Sequence, residues 1–315
     1  MNYAISRITQ PVTNLENILK SSSTKRDKGL FFYQNKGRDV LFRLEGLTRI
    51  YRNIHDKKFF DTWYKEWKTL EDLLGKMDFY ESVHNELSKD RKLKAKSTKA
   101  FGEQYNAHLE ELNQKLKNEH WLSGEKMAAF RAGIAQCTWL ESHEDRAAFG
   151  HEMINELSKL HQKYESGELN PYNIEEGLHE FRRRLRWIGI YSIASEGMVQ
   201  LQKVKTITPS LQKYQTKEIV ASPYNIMPAH SKGQHTINIQ SQHFYAMSWL
   251  IQQLGEWKDR AQHHEALKSI GGEISKANAS LVANIPAQAE LTIDEFVYSD
   301  LILMKISRDI LRSIQ

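Results

Sequence analysis

The sequence predicts an all-α protein made of two related helical halves. Three observations support this: proline is absent from Val12 to Asn170, a short helical motif occurs twice, and an arginine-bearing amphipathic helix precedes each copy. Long proline-free stretches rich in Leu, Glu, Lys, Gln and Ala favour helices, because proline removes a helical hydrogen bond and clashes with the preceding turn. We therefore expect helices over most of the first half and over much of the second.

Length and composition are those of a globular chain. The 315 residues are 40% apolar and 26% charged, which excludes a disordered chain. The mean hydropathy is -0.61 and no apolar run approaches about 18 residues, so we expect no transmembrane helix and no membrane partner. The first residues lack the apolar core of a secretory signal, and the single cysteine, Cys137, can form no internal disulfide. These features predict a cytoplasmic protein.

A turn-forming segment near the middle of the chain predicts the domain boundary. Gly167 can end a helix there, and Asn170 followed by Pro171 can open a turn. We expect a first helical bundle over residues 1–165 and a second over residues 166–315. The second half also holds an insert near residues 205–241, where three prolines and β-branched runs predict a long loop or a small hairpin.

The repeated motif is a helical segment that we expect to end at a glycine. Its residues are Leu70, Leu74, Gly75 and Asp78 in the first copy and Leu250, Leu254, Gly255 and Asp259 in the second. The leucines and glycines superimpose at one constant offset, and the aspartate lies one residue later in the second copy. A duplicated helical unit with one insertion accounts for this pattern.

Each copy follows an amphipathic helix with one basic face. In the second half, Leu178, Phe181, Leu185 and Ile188 share one face of the predicted helix 178–194, and His179, Arg182, Arg183 and Arg186 share the other. In the first half, Val40, Leu44, Leu47, Tyr51 and Ile54 share one face of the predicted helix 38–54, and Arg38, Arg49 and Arg52 share the other with Glu45. Like charges one turn apart repel each other, and a bound polyanion would reverse that repulsion. An ordinary solvated helix surface is the alternative interpretation.

These residues resemble the CHAD domains, a family of helical domains named for their histidines. The opening block of that family has the form His-x-x-Arg-x-x-x-Lys/Arg-Arg-Leu-Arg-aromatic, and a later helix carries Leu-Gly-x-x-x-Asp. The matching residues here are His179, Arg182 and Arg186, the run Arg183 to Trp187, and Leu254, Gly255 and Asp259. In the first half the arginine cluster is thinned, with Asp39 or Val40 at the place of the histidine.

The resemblance implies two four-helix bundles packed around a basic groove that binds inorganic polyphosphate. The polyanion-binding residues would be Arg38, Arg43, Arg49 and Arg52 in the first half and His179, Arg182, Arg183 and Arg186 in the second. The sequence has no His-Glu-x-x-His, nucleophile elbow or phosphate-binding glycine loop, nor the Glu-x-Glu-x-Lys signature of triphosphatases often joined to CHAD domains. We therefore expect a binding protein with no catalytic residue, no cofactor and no metal.

Three other interpretations stay open. A protein-interaction scaffold would pair its basic faces with acidic partners, and capping of those faces by Glu45, Glu175 or Glu176 would favour it. Nucleic acid is the less favoured partner, because the tryptophans recur beside leucines at helical spacing, as core residues do. A di-iron site could use Glu81-x-x-His84 and Glu176-x-x-His179, but Arg182 and Arg183 lie one turn from His179 and disfavour a cation there.

Overall fold

A computed structural model describes residues 3–89, 95–270 and 276–315 and confirms the all-α fold. Two short strands form the one sheet among these residues. No helix in the described part of the chain is long and apolar enough to cross a membrane. The chain divides after Leu140 into two compact units, and each is described by itself.

The first unit is organised around one long helix that packs against both of its sequence neighbours. Its helices are α1 (Tyr3–Ser23), α2 (Lys28–Gln34), α3 (Gly37–Ile54), α4 (Lys57–Leu87), α5 (Ala95–Asn118) and α6 (Glu125–Gln136). α4 packs against α3 and α5, and α1 packs against α3. The side chain of Asp56 accepts a hydrogen bond from the backbone N–H of Phe59 and so caps the start of α4. Trp63 and Trp67 stack with ring centroids 5.1 Å apart in the core.

The apolar face of α3 is rotated from the predicted one. Leu44, Leu47 and Tyr51 are buried as expected, whereas Val40 and Ile54 are only half-buried. Leu41 and Ile50 are buried instead, and so is Glu45, which the sequence placed on the basic face. The rotation brings Glu45 towards α4, where its carboxyl group is buried near Glu71.

The second unit holds the remaining elements of the chain. Its helices are α7 (Ser142–Glu165), α8 (Glu180–Ala194), α9 (Lys217–Val220), α10 (Ser241–Ser269), α11 (Lys276–Ala283), α12 (Ile285–Asp294) and α13 (Ile302–Ile314), and its strands are β1 (Val199–Gln202) and β2 (Ile237–Gln240). Two π-helical turns, Ile174–His179 and Glu295–Ser299, precede α8 and α13. Two 3₁₀ turns, Pro209–Tyr214 and Pro223–Asn225, lie between the strands.

The predicted domain boundary at residue 165 differs from the observed division after Leu140. Gly167 does lie at the end of a helix, in the left-handed conformation with φ of +76°. However, the helix that ends there, α7, packs against α8 and α13 and therefore belongs to the second unit. A helix-ending glycine marks where a helix stops, and packing of that helix decides which unit it joins.

The predicted core face of the second arginine helix is confirmed. Leu178, Phe181, Leu185 and Ile188 are all buried. The α-helix itself begins at Glu180, because residues 174–179 form a π-helical turn. The side chain of Asn173 caps that turn by accepting a hydrogen bond from the N–H of Glu176.

The insert is a long connection and contains no hairpin. β1 precedes it, β2 lies at its end, and the two strands pair in parallel with Val199 opposite Ile237. A parallel pair needs a long crossover, which the residues between the strands supply. The backbone N–H groups of Asn238 and Gln240 bind Ser313 Oγ and Asp309 Oδ2, each at 2.9 Å, so that α13 covers this edge of β2.

Candidate anion site

In each unit an arginine guanidinium lies against a glycine in the middle of a helix. A Cβ atom at position 75 would lie 2.8 Å from Nη2 of Arg38, and one at position 255 would lie 2.9 Å from Nε of Arg182. Both distances are shorter than real Cβ atoms tolerate, so a larger residue would displace the guanidinium. The expectation that these glycines end helices is wrong, since α4 and α10 continue well beyond them. The glycines make room for an arginine from the preceding helix of the repeat.

The two arginines occupy equivalent positions in the repeated unit. Four residues have the same spacing in the two helices. They are Arg38, Leu41, Leu44 and Thr48 on α3 and Arg182, Leu185, Ile188 and Ser192 on α8. The hydroxyls of Thr48 and Ser192 are buried, and each donates to the carbonyl four residues earlier, at 2.9 and 2.8 Å. The same contacts in two helices support the duplication predicted from sequence.

In the first copy the guanidinium is neutralised by two carboxylates. Arg38 Nε donates to Oε1 of Glu71 at 2.8 Å, and Nη1 forms an ion pair with Asp78. Tyr33 donates its hydroxyl hydrogen to Asp78 at 2.6 Å, which fixes that carboxylate in place. Burial acts to lower the pKa of Arg38, but the charges of Glu71 and Asp78 outweigh it and raise the pKa. Arg38 is therefore satisfied within its own unit.

In the second copy the two equivalent positions hold no carboxylate, and the aspartate of the motif, Asp259, lies one residue later. The residue at the position of Glu71 is Ile251, and the residue at the position of Asp78 is Lys258. Arg182 Nε donates instead to the backbone carbonyl of Ile251 at 3.0 Å. No carboxylate of the described residues forms an ion pair with it within 4.0 Å, and burial lowers its pKa, opposed by Asp259. The second copy thus holds a partly buried cation that forms no ion pair with a carboxylate of the described residues, and Asp259 acts on it only from a greater distance.

Other cations lie near His179, which is one helical turn before Arg182. Burial and then the charge of Lys258 lower the pKa of His179, and Arg182 and Arg183 act in the same direction while Glu175 opposes them. Nδ1 of His179 is buried and has no hydrogen-bond partner in the described structure. We call the set His179, Arg182, Arg183 and Lys258 the second-copy cluster.

The second-copy cluster is only partly balanced by neighbouring acids. Arg183 Nε donates to Glu180 at 2.6 Å, and Lys258 pairs with Asp259 at 2.9 Å. In each pair one side chain, Arg183 or Asp259, is exposed, so solvent weakens the pair. An anion that reached Arg182 and His179 would meet two donors that these acids do not occupy.

The other predicted site residues have different surroundings. Arg52 lies 3.4 Å from Asp61 and over the ring of Tyr64. Arg43, Arg49 and Arg186 are half-buried on α3 and α8. Because Arg38 is paired with acids and Arg52 lies beside one, the basic face expected on α3 is partly neutralised.

Capping of the basic faces by acids differs from the expectation. Glu45 is buried on α3; its burial raises its pKa to about 7 and the charge of Glu71 adds to the rise, while Lys68 and Arg49 oppose it. Glu71 and Asp78 do the capping in the first copy, and Glu180 pairs with Arg183 and Arg184 in the second. Sequence reasoning missed Glu71 and Lys258, although aligning the two glycines would have shown that the duplicated positions differ in charge.

Three of the four residues of the possible di-iron motifs, all except His179, are engaged elsewhere. Nδ1 of His84 lies 3.1 Å from the carbonyl of Thr98, and Glu81 accepts a hydrogen bond from Tyr33 at 2.8 Å. Glu176 accepts from the side chain of Asn173 at 3.0 Å. Within the described residues, no three acidic, histidine or cysteine side chains gather as metal ligands would.

Comparison with protein-family models, curated proteins and solved structures finds no match to this chain. The resemblance to CHAD domains therefore depends on the motif residues alone.

Proposed function

We propose that the protein is a non-catalytic binding module for inorganic polyphosphate or a similar phosphate-rich polyanion, and that the second-copy cluster is its binding site. The observation that carries the proposal is the difference between the two copies. Arg38 has two carboxylate partners, whereas the equivalent Arg182 has an apolar residue and a lysine in their place.

Phosphate chemistry fits this cluster. A guanidinium stays charged when partly desolvated and donates parallel hydrogen bonds to two phosphate oxygens. Arg182 is held by Gly255 and by the carbonyl of Ile251, so little side-chain entropy is lost when it binds. A phosphate at Arg182 would also reverse the repulsion that lowers the pKa of His179.

The neighbouring acids support binding without catalysis. Glu180 and Asp259 pair with Arg183 and Lys258, so their carboxylates balance charge. The cluster itself supplies cations and one imidazole. We assign it the binding of phosphate oxygens and no part in cleaving them. Cytoplasmic location belongs to the same proposal and relies on the lone cysteine, which can form no internal disulfide.

A protein-interaction scaffold is the second candidate, and the insert is the observation that favours it. Tyr224 and Ile226 are 70% and 66% exposed within a segment that carries Lys217 and Lys232. An acidic protein with an apolar patch would fit such a segment. On that account the second-copy cluster would pair with carboxylates of the partner.

Calorimetric titration with long-chain polyphosphate at low and physiological salt tests the proposal. We expect binding that weakens with salt and that is lost with Lys258→Gln combined with Arg183→Gln. Arg260→Gln combined with Lys268→Gln is the matched control, because it removes two exposed cations from the same helix as Lys258. Single-stranded DNA at equal phosphate content should bind more weakly. Equal binding by the double variant and the control would contradict the proposal.

A further inference from the structure

The second unit contains a cleft of about 560 Å³ whose lining is polar throughout. It opens between α7, the two strands and α13. The lining residues that matter here are Arg146, Gln202, His235, Asn238, Asp309 and Arg312. None of them belongs to the second-copy cluster, so the cleft needs a separate explanation.

Two arginines from different helices reach this cleft. Arg146 of α7 donates to the backbone carbonyl of Ser313 and so is fixed in position, while its Nε is buried with no hydrogen-bond partner in the described structure. Arg312 of α13 is exposed and has no ion pair or hydrogen bond with its side chain among the described residues. The cleft therefore presents one held and one free guanidinium.

The one carboxylate of the cleft is already engaged. Asp309 is buried, accepts the backbone N–H of Gln240 at 2.9 Å, and lies 2.7 Å from Nδ1 of His243. It does not pair with either arginine. Two guanidinium groups beside a committed carboxylate favour an anionic ligand.

The remaining wall supplies amides. Gln202 is the last residue of β1, and Asn238 is the second residue of β2; both side chains are exposed. Gln240 lies two residues after Asn238, at the end of β2. An amide both donates and accepts hydrogen bonds, which matches the hydroxyl group of a sugar or other polyol. A wall without apolar side chains favours a ligand rich in hydroxyl groups over an apolar ring, and the volume suits a small molecule.

We infer that this cleft binds a small phosphorylated polyol of the sugar-phosphate class. The phosphate binds between Arg146 and Arg312, and the hydroxyl groups bind the amides of Gln202 and Asn238. This inference goes beyond the polyanion site, because the ligand is a small monoester and the residues are different.

The test is calorimetric titration of the full chain with glucose 6-phosphate, glucose and inorganic phosphate. We expect saturable binding of glucose 6-phosphate and no binding of glucose. Arg312→Gln should weaken it about tenfold, since one charge-assisted hydrogen bond is lost. Arg308→Gln is the matched control, because Arg308 is an exposed arginine on the same helix that lies outside the cleft.

A second variant tests the hydroxyl contacts. Asn238→Ala should weaken glucose 6-phosphate and leave inorganic phosphate unchanged. Any of three results would overturn the inference. The unmodified chain could fail to bind glucose 6-phosphate, or it could bind inorganic phosphate equally well. The third result is equal affinity of Arg312→Gln and Arg308→Gln for glucose 6-phosphate. Lys258→Gln should leave this binding intact, and Arg312→Gln should leave polyphosphate binding intact, so the two proposals can fail separately.

Discussion

The guanidinium of Arg182 hydrogen-bonds to the backbone carbonyl of Ile251, at the position where the first copy of the repeat uses the side chain of Glu71. The duplication therefore kept the arginine and its glycine and changed the charge around them. In the first copy the result is an internal ion-pair network. In the second copy it is a cation that an external anion can neutralise.

Replacing the second-copy glycine should disturb both stability and binding. In Gly255→Ala the new methyl group would lie 2.9–3.2 Å from three guanidinium atoms of Arg182. We expect the free energy of unfolding to fall by about 1–3 kcal/mol, as overpacked sites show, and polyphosphate binding to weaken.

Gly189 provides the control for that substitution. It lies within α8, and a Cβ there would meet no atom within 4 Å. Gly189→Ala should raise the free energy of unfolding by about 0.5–1 kcal/mol through helix propensity alone. Urea unfolding of both variants measures the difference, and equal effects would contradict the packing of Arg182 on Gly255.

The buried carboxyl of Glu45 should make the stability depend on pH. Its pKa is raised to about 7 by burial and by Glu71, whereas an unfolded chain has the ordinary value near 4.3. Between these two values the folded protein binds more protons than the unfolded chain, so stability falls as pH rises. The loss should reach about 4 kcal/mol above pH 7.

Glu45→Gln should remove this dependence and stabilise the protein at pH 8. Urea unfolding at pH 5 and pH 8 checks it. Glu110→Gln, at an exposed position on α5, is the control for the loss of a charge. The same pH dependence in Glu45→Gln and the unmodified protein would show that Glu45 is not its source.

We expect Asp309 to stabilise the fold of the second unit. Its carboxylate accepts the N–H of Gln240 and contacts His243, so Asp309→Ala leaves two buried polar groups without partners. We expect a loss of about 2–4 kcal/mol, because each unsatisfied group costs about 1–3 kcal/mol. Thermal unfolding measures it, with Ser307→Ala on the same helix as control. A change no larger than that of the control would be against this role.

The all-α fold and the core face of α8 could be predicted from sequence, because helical periodicity reports directly which positions are apolar. The roles of Gly75 and Gly255 could not, since each glycine accommodates a side chain from another helix. The boundary at residue 165 failed for a similar reason: the turn at Gly167 is local, but the packing of α7 on α13 is long-range.

The candidate site was predicted in part. Periodicity placed Arg182 and His179 on a basic face, but it gave no information on what lies opposite them. The pairing of Arg38 with Glu71 depends on the register between α3 and α4, which sequence spacing does not contain. The change of charge between Asp78 and Lys258 is visible in the sequence. Only the contacts of Arg38 in the structure show that the residue at this position determines whether the arginine is paired.

The central claim is tested most directly by giving the second copy the two carboxylates that the first copy has. Ile251→Glu with Lys258→Asp would give Arg182 the same partners that Arg38 has, without removing a single arginine. The control is Gln253→Glu with Arg260→Asp, which makes the same change in net charge on the same helix.

The measurement is calorimetric titration of both double variants with long-chain polyphosphate, after circular dichroism has shown that each is folded. We predict that the exchange lowers the affinity at least about tenfold relative to the control, since Arg182 would be neutralised internally and the cluster would lose Lys258. Equal affinity of the two variants would contradict the account, because binding would then not depend on the missing carboxylates of the second copy.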